Sequence, residues 1–276
     1  MVIDNNFYMN LALQVAWKYQ GLTYPNPAVG CCIVSNTNEI LAVEAHHKAG
    51  DAHAEVNALK SAYYKLTSDD KILKLNKSAD IHNFLLKNHN NIFQECSVYT
   101  TLEPCSKIGK TPSCANLLIS LNIKKVYIGS SDTYQDNFSF NAKFGILEKE
   151  CKELLYPFQC WKKKNFVFFK LAQRLDASVD GKVTTKETKI FTHSLRDVCD
   201  LLVIGGNTVR LDRPTLDARE INGKAPDILI YSRQKEFDIT IPLFNVKKRK
   251  VIISNNLDEL KNYKNIMIRS EERRVG

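Results

Sequence analysis

His53 and Glu55 stand two residues apart in HAEVNAL, and TLEPCSKIGKTPSC later supplies Cys105 and Cys114. One imidazole and two thiols suit a zinc ion that keeps a fourth position open, where a water molecule ionises near neutral pH. Two thiolates also bring the metal close to neutrality once hydroxide is present. Glu55 is then a proton shuttle rather than a fourth ligand. It takes a proton from the attacking water, passes it to a ring nitrogen and later protonates a leaving amine. This chemistry is the hydrolytic deamination of a nucleobase-like amine.

Such a site needs rigid elements around it. Residues 7–20, FYMNLALQVAWKYQ, carry apolar groups at helical spacing, and the two prolines of TYPNPAVG end that helix. CCIVS and ILAVEAH read as strands joined by the polar turn NTNE, and HAEVNALKSAYYKL returns to helical periodicity, so His53 opens a helix. Residues 67–95 are polar and read as an insertion with a short helix around IHNFLLKN. SVYTTL, SCANLLISLN and KKVYIGS follow as strand, helix and strand, which implies a layered α/β domain.

A chain of 276 residues fits about two domains. The expected division is a zinc domain over 1–147, a linker over 148–164 and a second α/β domain over 165–276. In the latter, FVFFKLAQ, DLLVIGG, DILIYS, KVIIS and NIMIR supply strands and leave little helix to cover them. With 44% apolar and 25% charged residues, disordered and fibrous classes are excluded. No apolar run approaches the ~20 residues of a membrane span, and the first residues lack a signal peptide's basic and apolar regions, so a cytoplasmic location is expected. The net charge of +9 is dispersed over clusters such as Lys162-Lys163-Lys164 and Lys247-Lys248-Arg249-Lys250. These read as solvated turns rather than one nucleic-acid-binding stripe. Eight cysteines without an export signal argue against a disulfide framework, and Cys31, Cys32 and Cys199 lie in or beside apolar runs as small packing groups.

H-x-E followed by P-C-x-x-C is the pattern of zinc deaminases, but here eight residues separate the cysteines. With that long spacing around a Gly-Lys-Thr-Pro loop, and with NPAVGCCIV ahead of it, the chain resembles the bifunctional riboflavin-biosynthesis deaminase/reductase family. The resemblance implies a cytidine-deaminase-like three-layer domain. It also implies removal of the 2-amino group from a diaminopyrimidinone carrying a ribosyl 5-phosphate. By motif position, Asn26 touches the substrate, His46 lines the pocket and Lys110 faces the phosphate as a compact ammonium. Lys107 stands where relatives have histidine, and Asp132-Thr133-Tyr134-Gln135 where they have Asp-Pro-Asn-Pro.

FKLAQRLDASVDGKV and LLVIGGNTVRLDRPTLDAR resemble the family's reductase half. That implies a dihydrofolate-reductase-like α/β domain using NADPH to open the ribosyl ring to ribityl. Ala172, Thr208 and Asp212 would approach the cofactor, and Thr188, Leu216 and Arg219 the substrate, with Arg219 as a phosphate clamp. Thr188 and Ile190 replace the usual Ser-x-Trp. The family's Glu-Gly-Gly segment, which supports the cofactor phosphates, does not precede Gly276, so the reductase domain is expected to be partial. A tRNA or nucleoside deaminase of the same zinc superfamily and a structural zinc module with four protein ligands stay open as alternatives. The expected partner is a phosphorylated pyrimidine, with neither nucleic acid nor membrane, and a homo-oligomer is left open.

Overall fold

The computed structural model describes residues 3–106, 109, 111–131, 141–174, 176, 178 and 183–270. The chain forms two compact units, Met1–Phe158 and Gln159–Gly276, and each is built on one five-stranded sheet.

In the first unit, α1 (Asn5–Trp17) starts where the Asp4 carboxylate accepts the Phe7 N–H at 2.9 Å. β1 (Gly30–Val34) and β2 (Ile40–Ala45) form the expected antiparallel hairpin, with Asn38 in its turn at φ 65°. α2 (Ala54–Thr67), α3 (Ser78–Asn88), β3 (Ser97–Leu102), α4 (Cys114–Ser120), β4 (Lys125–Ser130), β5 (Ala142–Phe144) and α5 (Glu148–Lys163) follow. The sheet order is β2-β1-β3-β4-β5, antiparallel up to β3 and parallel beyond it. Successive residues of a strand face opposite ways. Cys31 and Ile33 therefore join a core with α2, α3 and α4, while Cys32 and Val34 join one with α1 and α5. The result is helix, sheet and helix in three layers. Both thiols of the Cys31-Cys32 pair are spent on packing.

Two stretches differ from expectation. Residues 67–95 carry the expected short helix as α3 but add to the core rather than lying polar throughout, because Ile72, Ile81, Leu85 and Phe93 are buried in the same core as α2. Their polar composition belongs to the solvent face of α3. The expected linker over 148–164 is largely α5, with Leu155 in one core and Cys151 and Leu154 in the other. Cys151, Leu154, Leu155 and Phe158 do follow helical spacing, but Pro157 within the helix masked it.

Gly30 is where α1 meets the sheet: a Cβ there would stand 1.9 Å from the Ala12 carbonyl oxygen. That neighbour is helix backbone and cannot turn aside. Gly30→Ala is therefore expected to destabilise the first unit by at least ~1–3 kcal/mol. A lower denaturant midpoint would register this, and an unchanged midpoint would show that α1 shifts freely.

The second unit holds β6 (Phe166–Leu171), α6 (Lys186–Val198), β7 (Leu201–Gly205), α7 (Gly206–Asp212), β8 (Asp227–Tyr231), β9 (Val251–Ser254) and β10 (Asn265–Ser270). The order is β6-β10-β7-β8-β9, with every neighbouring pair parallel. All five expected strands are present, and Cys199 packs in their core as anticipated. The expectation of little helix is corrected by α6, whose sequence KETKIFTHSLRDV is mostly polar and starts at a Thr185 cap that accepts the Thr188 N–H. GGNT, which alone reads as a weak turn, opens α7. Among the described residues no helix is long and apolar enough to cross a membrane.

Candidate active site

His53 is the N-cap of α2, with extended backbone (φ −69°, ψ 163°), and Glu55 lies in the first helical turn. Because His53 is still outside the helix, the imidazole and the carboxylate can line one cavity although they are only two residues apart. Cys105 follows β3 and Cys114 is the first residue of α4. The start of α4 grips the Cys105 loop. Ser113 Oγ donates to the Cys105 carbonyl at 2.8 Å, the Ala115 N–H donates to the same oxygen at 3.1 Å, and the Cys114 N–H donates to Cys105 Sγ at 3.3 Å. The eight-residue spacing thus returns the second cysteine to the first through a helix start.

His53 Nδ1 lies 3.6 Å from Cys105 Sγ and 3.4 Å from Cys114 Sγ. With bonds of ~2.0–2.1 Å to nitrogen and ~2.3 Å to sulfur, a tetrahedral zinc ion sets its nitrogen–sulfur edge at about 3.6 Å. The three ligand atoms all lie within 4.8 Å of one another, so this donor set fits zinc. The far nitrogen of His53, Nε2, lies 3.3 Å from Thr111 Oγ1, the outer contact that fixes the tautomer of a ligating histidine. Thr111 was not singled out by sequence reasoning, although it adjoins Lys110 in the Gly-Lys-Thr loop.

The electrostatics fit a site prepared for positive charge. A hydrogen bond from the Cys114 thiol, with others from His53 and the Cys114 N–H, holds the Cys105 thiol down to about 4 against the effect of burial. Its hydrogen bond to Cys105, together with burial, raises Cys114 in turn. Burial pulls His53 down, but its hydrogen bond to Cys105 and the charges of Glu55 and Cys105 carry it above the ordinary histidine value. Burial pushes the Glu55 carboxyl up to about 7, with His53 opposing and Cys105 adding to the rise.

The Glu55 shift has a measurable consequence in metal-free protein. Its folded-state value of about 7 exceeds the unfolded value of 4.5. Ionised Glu55 therefore costs stability in full above pH ~7, and the cost fades as pH falls towards 4.5. The difference corresponds to about 3 kcal/mol. Metal-free Glu55→Gln is thus expected to melt above metal-free wild type at pH 8 and level with it near pH 4.5. A pH-independent difference would contradict this.

The cavity on this cluster has a volume of ≈ 210 Å³ and is lined by Asn26, Pro27, Val29, His46, Leu102, Glu103 and Phe158 besides His53, Glu55 and Cys105. Asn26 and His46 are thus brought to the metal-ligand cluster. Burial holds the His46 imidazole below the ordinary histidine value. Glu103 and Phe158 were missed by the sequence reading: Glu103 lay inside the TLEPC motif and Phe158 inside the supposed linker. Lys107, Lys110 and the 132–135 segment lie outside the described residues.

In the second unit, Ala172 follows β6, Thr208 lies on α7 and Asp212 ends α7, bonded to Arg269 at 3.1 Å. Thr188 sits in the first turn of α6, with Ile190 two residues on. Leu216 is a core residue with φ 56°, and the loop around it is tied down by Arg249, which donates to the Thr215 and Leu216 carbonyls. The Arg219 guanidinium is exposed and 3.4 Å from Asp217. A crevice of ≈ 500 Å³ opens instead at the carboxyl ends of β7 and β8, lined in part by Gly206, Arg210, Ser232 and Arg233. A Cβ on Gly206 would stand 2.6 Å from Ser232 Oγ and 2.7 Å from its Cβ, so glycine permits the close approach of the two segments that line this crevice. Ligands of open parallel sheets bind outside strand carboxyl ends, a signal the run DILIYSRQ did not display by itself.

The Cytidine and deoxycytidylate deaminase zinc-binding region model matches residues 3–130. The Riboflavin biosynthesis protein RibD of Aquifex aeolicus is 30% identical over 270 residues, 91% of this chain and 68% of that protein. The RibD of Bacillus amyloliquefaciens is 30% identical over 233 residues, 77% of this chain and 55% of its own length. A Thermotoga maritima diaminohydroxyphosphoribosylaminopyrimidine deaminase/5-amino-6-(5-phosphoribosylamino)uracil reductase shares the fold at TM-score 0.64 and 24% identity, over 98% of this chain and 81% of that one. Acinetobacter baumannii RibD does so at TM-score 0.65 and 22% identity, over 96% and 80%.

Proposed function

The chain belongs to the riboflavin biosynthesis protein RibD family, and from that premise we propose that it is a zinc-dependent deaminase of a phosphoribosylated diaminopyrimidine. The observation that carries this reading is the convergence of His53, Cys105 and Cys114 beside the buried carboxylate of Glu55, at the end of a cavity with apolar walls. His53, Cys105 and Cys114 would hold zinc, which when bound would supply a Lewis acid that eases ionisation of water. Thr111 orients His53 from behind. Glu55 takes a proton from the attacking water and gives it to the ring nitrogen of the amidine. It then moves a proton to the departing amine, so that water replaces ammonia with no change of oxidation state. Pro27, Val29, Leu102 and Phe158 exclude bulk water around the heterocycle.

For the second unit we propose an NADPH-binding role like that of the family's reductase half. The five-stranded parallel sheet and the crevice at Gly206, with Arg210 and Arg233 as cations for a phosphorylated dinucleotide, support that reading. By motif position Ala172, Thr208 and Asp212 would serve the cofactor and Thr188 and Arg219 the substrate, whereas the Leu216 side chain is packed in the core and supports its loop from below. The test offers the zinc-loaded protein the diaminopyrimidine ribosyl phosphate, cytidine and tRNA in parallel. Ammonia from the first alone is expected. Release from tRNA or cytidine at the greater rate would overturn the substrate assignment.

A further inference from the structure

Asn26 and His46 meet at the rim of the cavity in a pair whose polarity can be worked out. His46 Nδ1 lies 3.0 Å from the Ala52 carbonyl oxygen, and His46 Nε2 lies 3.1 Å from Asn26 Nδ2. A carbonyl can only accept, so Nδ1 carries a proton. In the neutral ring Nε2 is then an acceptor, and the Asn26 amide must present N–H to it. That choice turns Asn26 Oδ1 away from the imidazole.

The surroundings hold the pair still. The Asn26 N–H donates to the Thr23 carbonyl at 2.8 Å, and Thr23 Oγ1, on a fully buried residue, donates to the Asn26 carbonyl at 2.9 Å. The Ala52 carbonyl is anchored too: Asn57 Nδ2 donates to it at 3.3 Å and to the Ala45 carbonyl at 2.9 Å. Ala52 directly precedes His53, so the His46 ring is referenced to the backbone that carries the metal ligand. The two rings meet edge to face with centroids 5.4 Å apart. Among the described residues no donor reaches Asn26 Oδ1, while Asn26 lines the cavity.

We propose that His46 is a positioning residue that acts through Asn26: its Nδ1-protonated ring locks the amide so that Oδ1 is offered to a hydrogen-bond donor, a hydroxyl or N–H, on the cavity's ligand. Nothing in this requires His46 to touch the substrate. The role in turnover rests on the deaminase reading, whereas the tautomer does not. A ligand lacking a donor at that point covers Oδ1 without pairing it and is selected against.

The test is a double-mutant cycle on the full zinc-loaded chain, read as KM and kcat for ammonia release with zinc content measured in each variant. Asn26→Ala and His46→Leu are each expected to raise KM about tenfold with kcat much less affected. The double variant should be no worse than Asn26→Ala alone, because His46 then has no amide left to orient. His46→Gln, whose Oε1 can accept from Asn26 at the place of Nε2, should recover most of the loss. Additive KM effects, or a His46→Gln variant as impaired as His46→Leu with zinc and fold intact, would overturn the proposal. Nitrogen NMR of the His46 ring decides the tautomer whatever reaction the protein catalyses. A neutral ring protonated on Nδ1 is expected, and a ring protonated on Nε2, alone or together with Nδ1, refutes the lock.

Discussion

Glu55→Gln is expected to keep one zinc per chain and to lose deamination by about 10²–10⁴-fold, the usual worth of a positioned general acid–base group. Glutamine fills nearly the same volume in a position only 4% exposed, so the cavity and the three ligand side chains are left in place. What it removes is a group that can both accept and return a proton. Burial, the largest cause of this carboxyl's upward shift in the metal-free protein, works in the direction a proton-returning group needs. The buried carboxylate that costs stability in metal-free protein is the same one the reaction needs, so Glu55→Gln should gain in one assay and fail in the other. Metal analysis alongside ammonia release checks it. Turnover near the wild-type rate would remove Glu55 from the mechanism.

Cys114→Ser should have a different signature, with zinc lost and the first unit destabilised. The side chain is fully buried and opens α4, whose start also grips the Cys105 loop. A serine hydroxyl there does not ionise at neutral pH and is a poor match for zinc beside a second thiolate. Because metal binding is coupled to folding, stability drops by the linkage energy, about 4 kcal/mol where free zinc stands ~1,000-fold above its dissociation constant. Cys105→Ser should behave alike. A chelator applied to wild type should reproduce most of the loss and leave the variants' melting unchanged. Stoichiometric zinc in either variant would show that the cluster has another set of ligands.

The metal cluster was legible in the sequence because its residue types are scarce and chemically specific: His53, Glu55, Cys105 and Cys114 announce themselves by identity and order. The strands were legible for a second reason, since apolar runs such as DLLVIGG and DILIYS are too short for a buried helix and rich in β-branched residues, which suits a covered sheet. Features that depend on which face of an element is turned inward were harder. α5 shows the right spacing from Cys151 to Phe158, but Pro157 and a lysine-rich end resemble a linker. α6 buries little beyond Thr192 and His193, so its hydrophobic signal is faint. Ile72, Ile81 and Leu85 are core residues diluted among Lys, Asn and Asp. Contacts between distant segments were not legible at all: neither Thr111 behind His53 nor Ser232 against Gly206 leaves a local pattern.

Hydrolytic deamination at the His53–Cys105–Cys114 cluster is tested by running the reaction in ¹⁸O-labelled water. The zinc-loaded chain is incubated with the diaminopyrimidine ribosyl phosphate, and ammonia and product mass are followed together. One ammonia per product and one heavy oxygen on the carbon that bore the amine are expected, with both signals abolished by zinc removal. Unchanged substrate, or a product without the heavy oxygen, would contradict it.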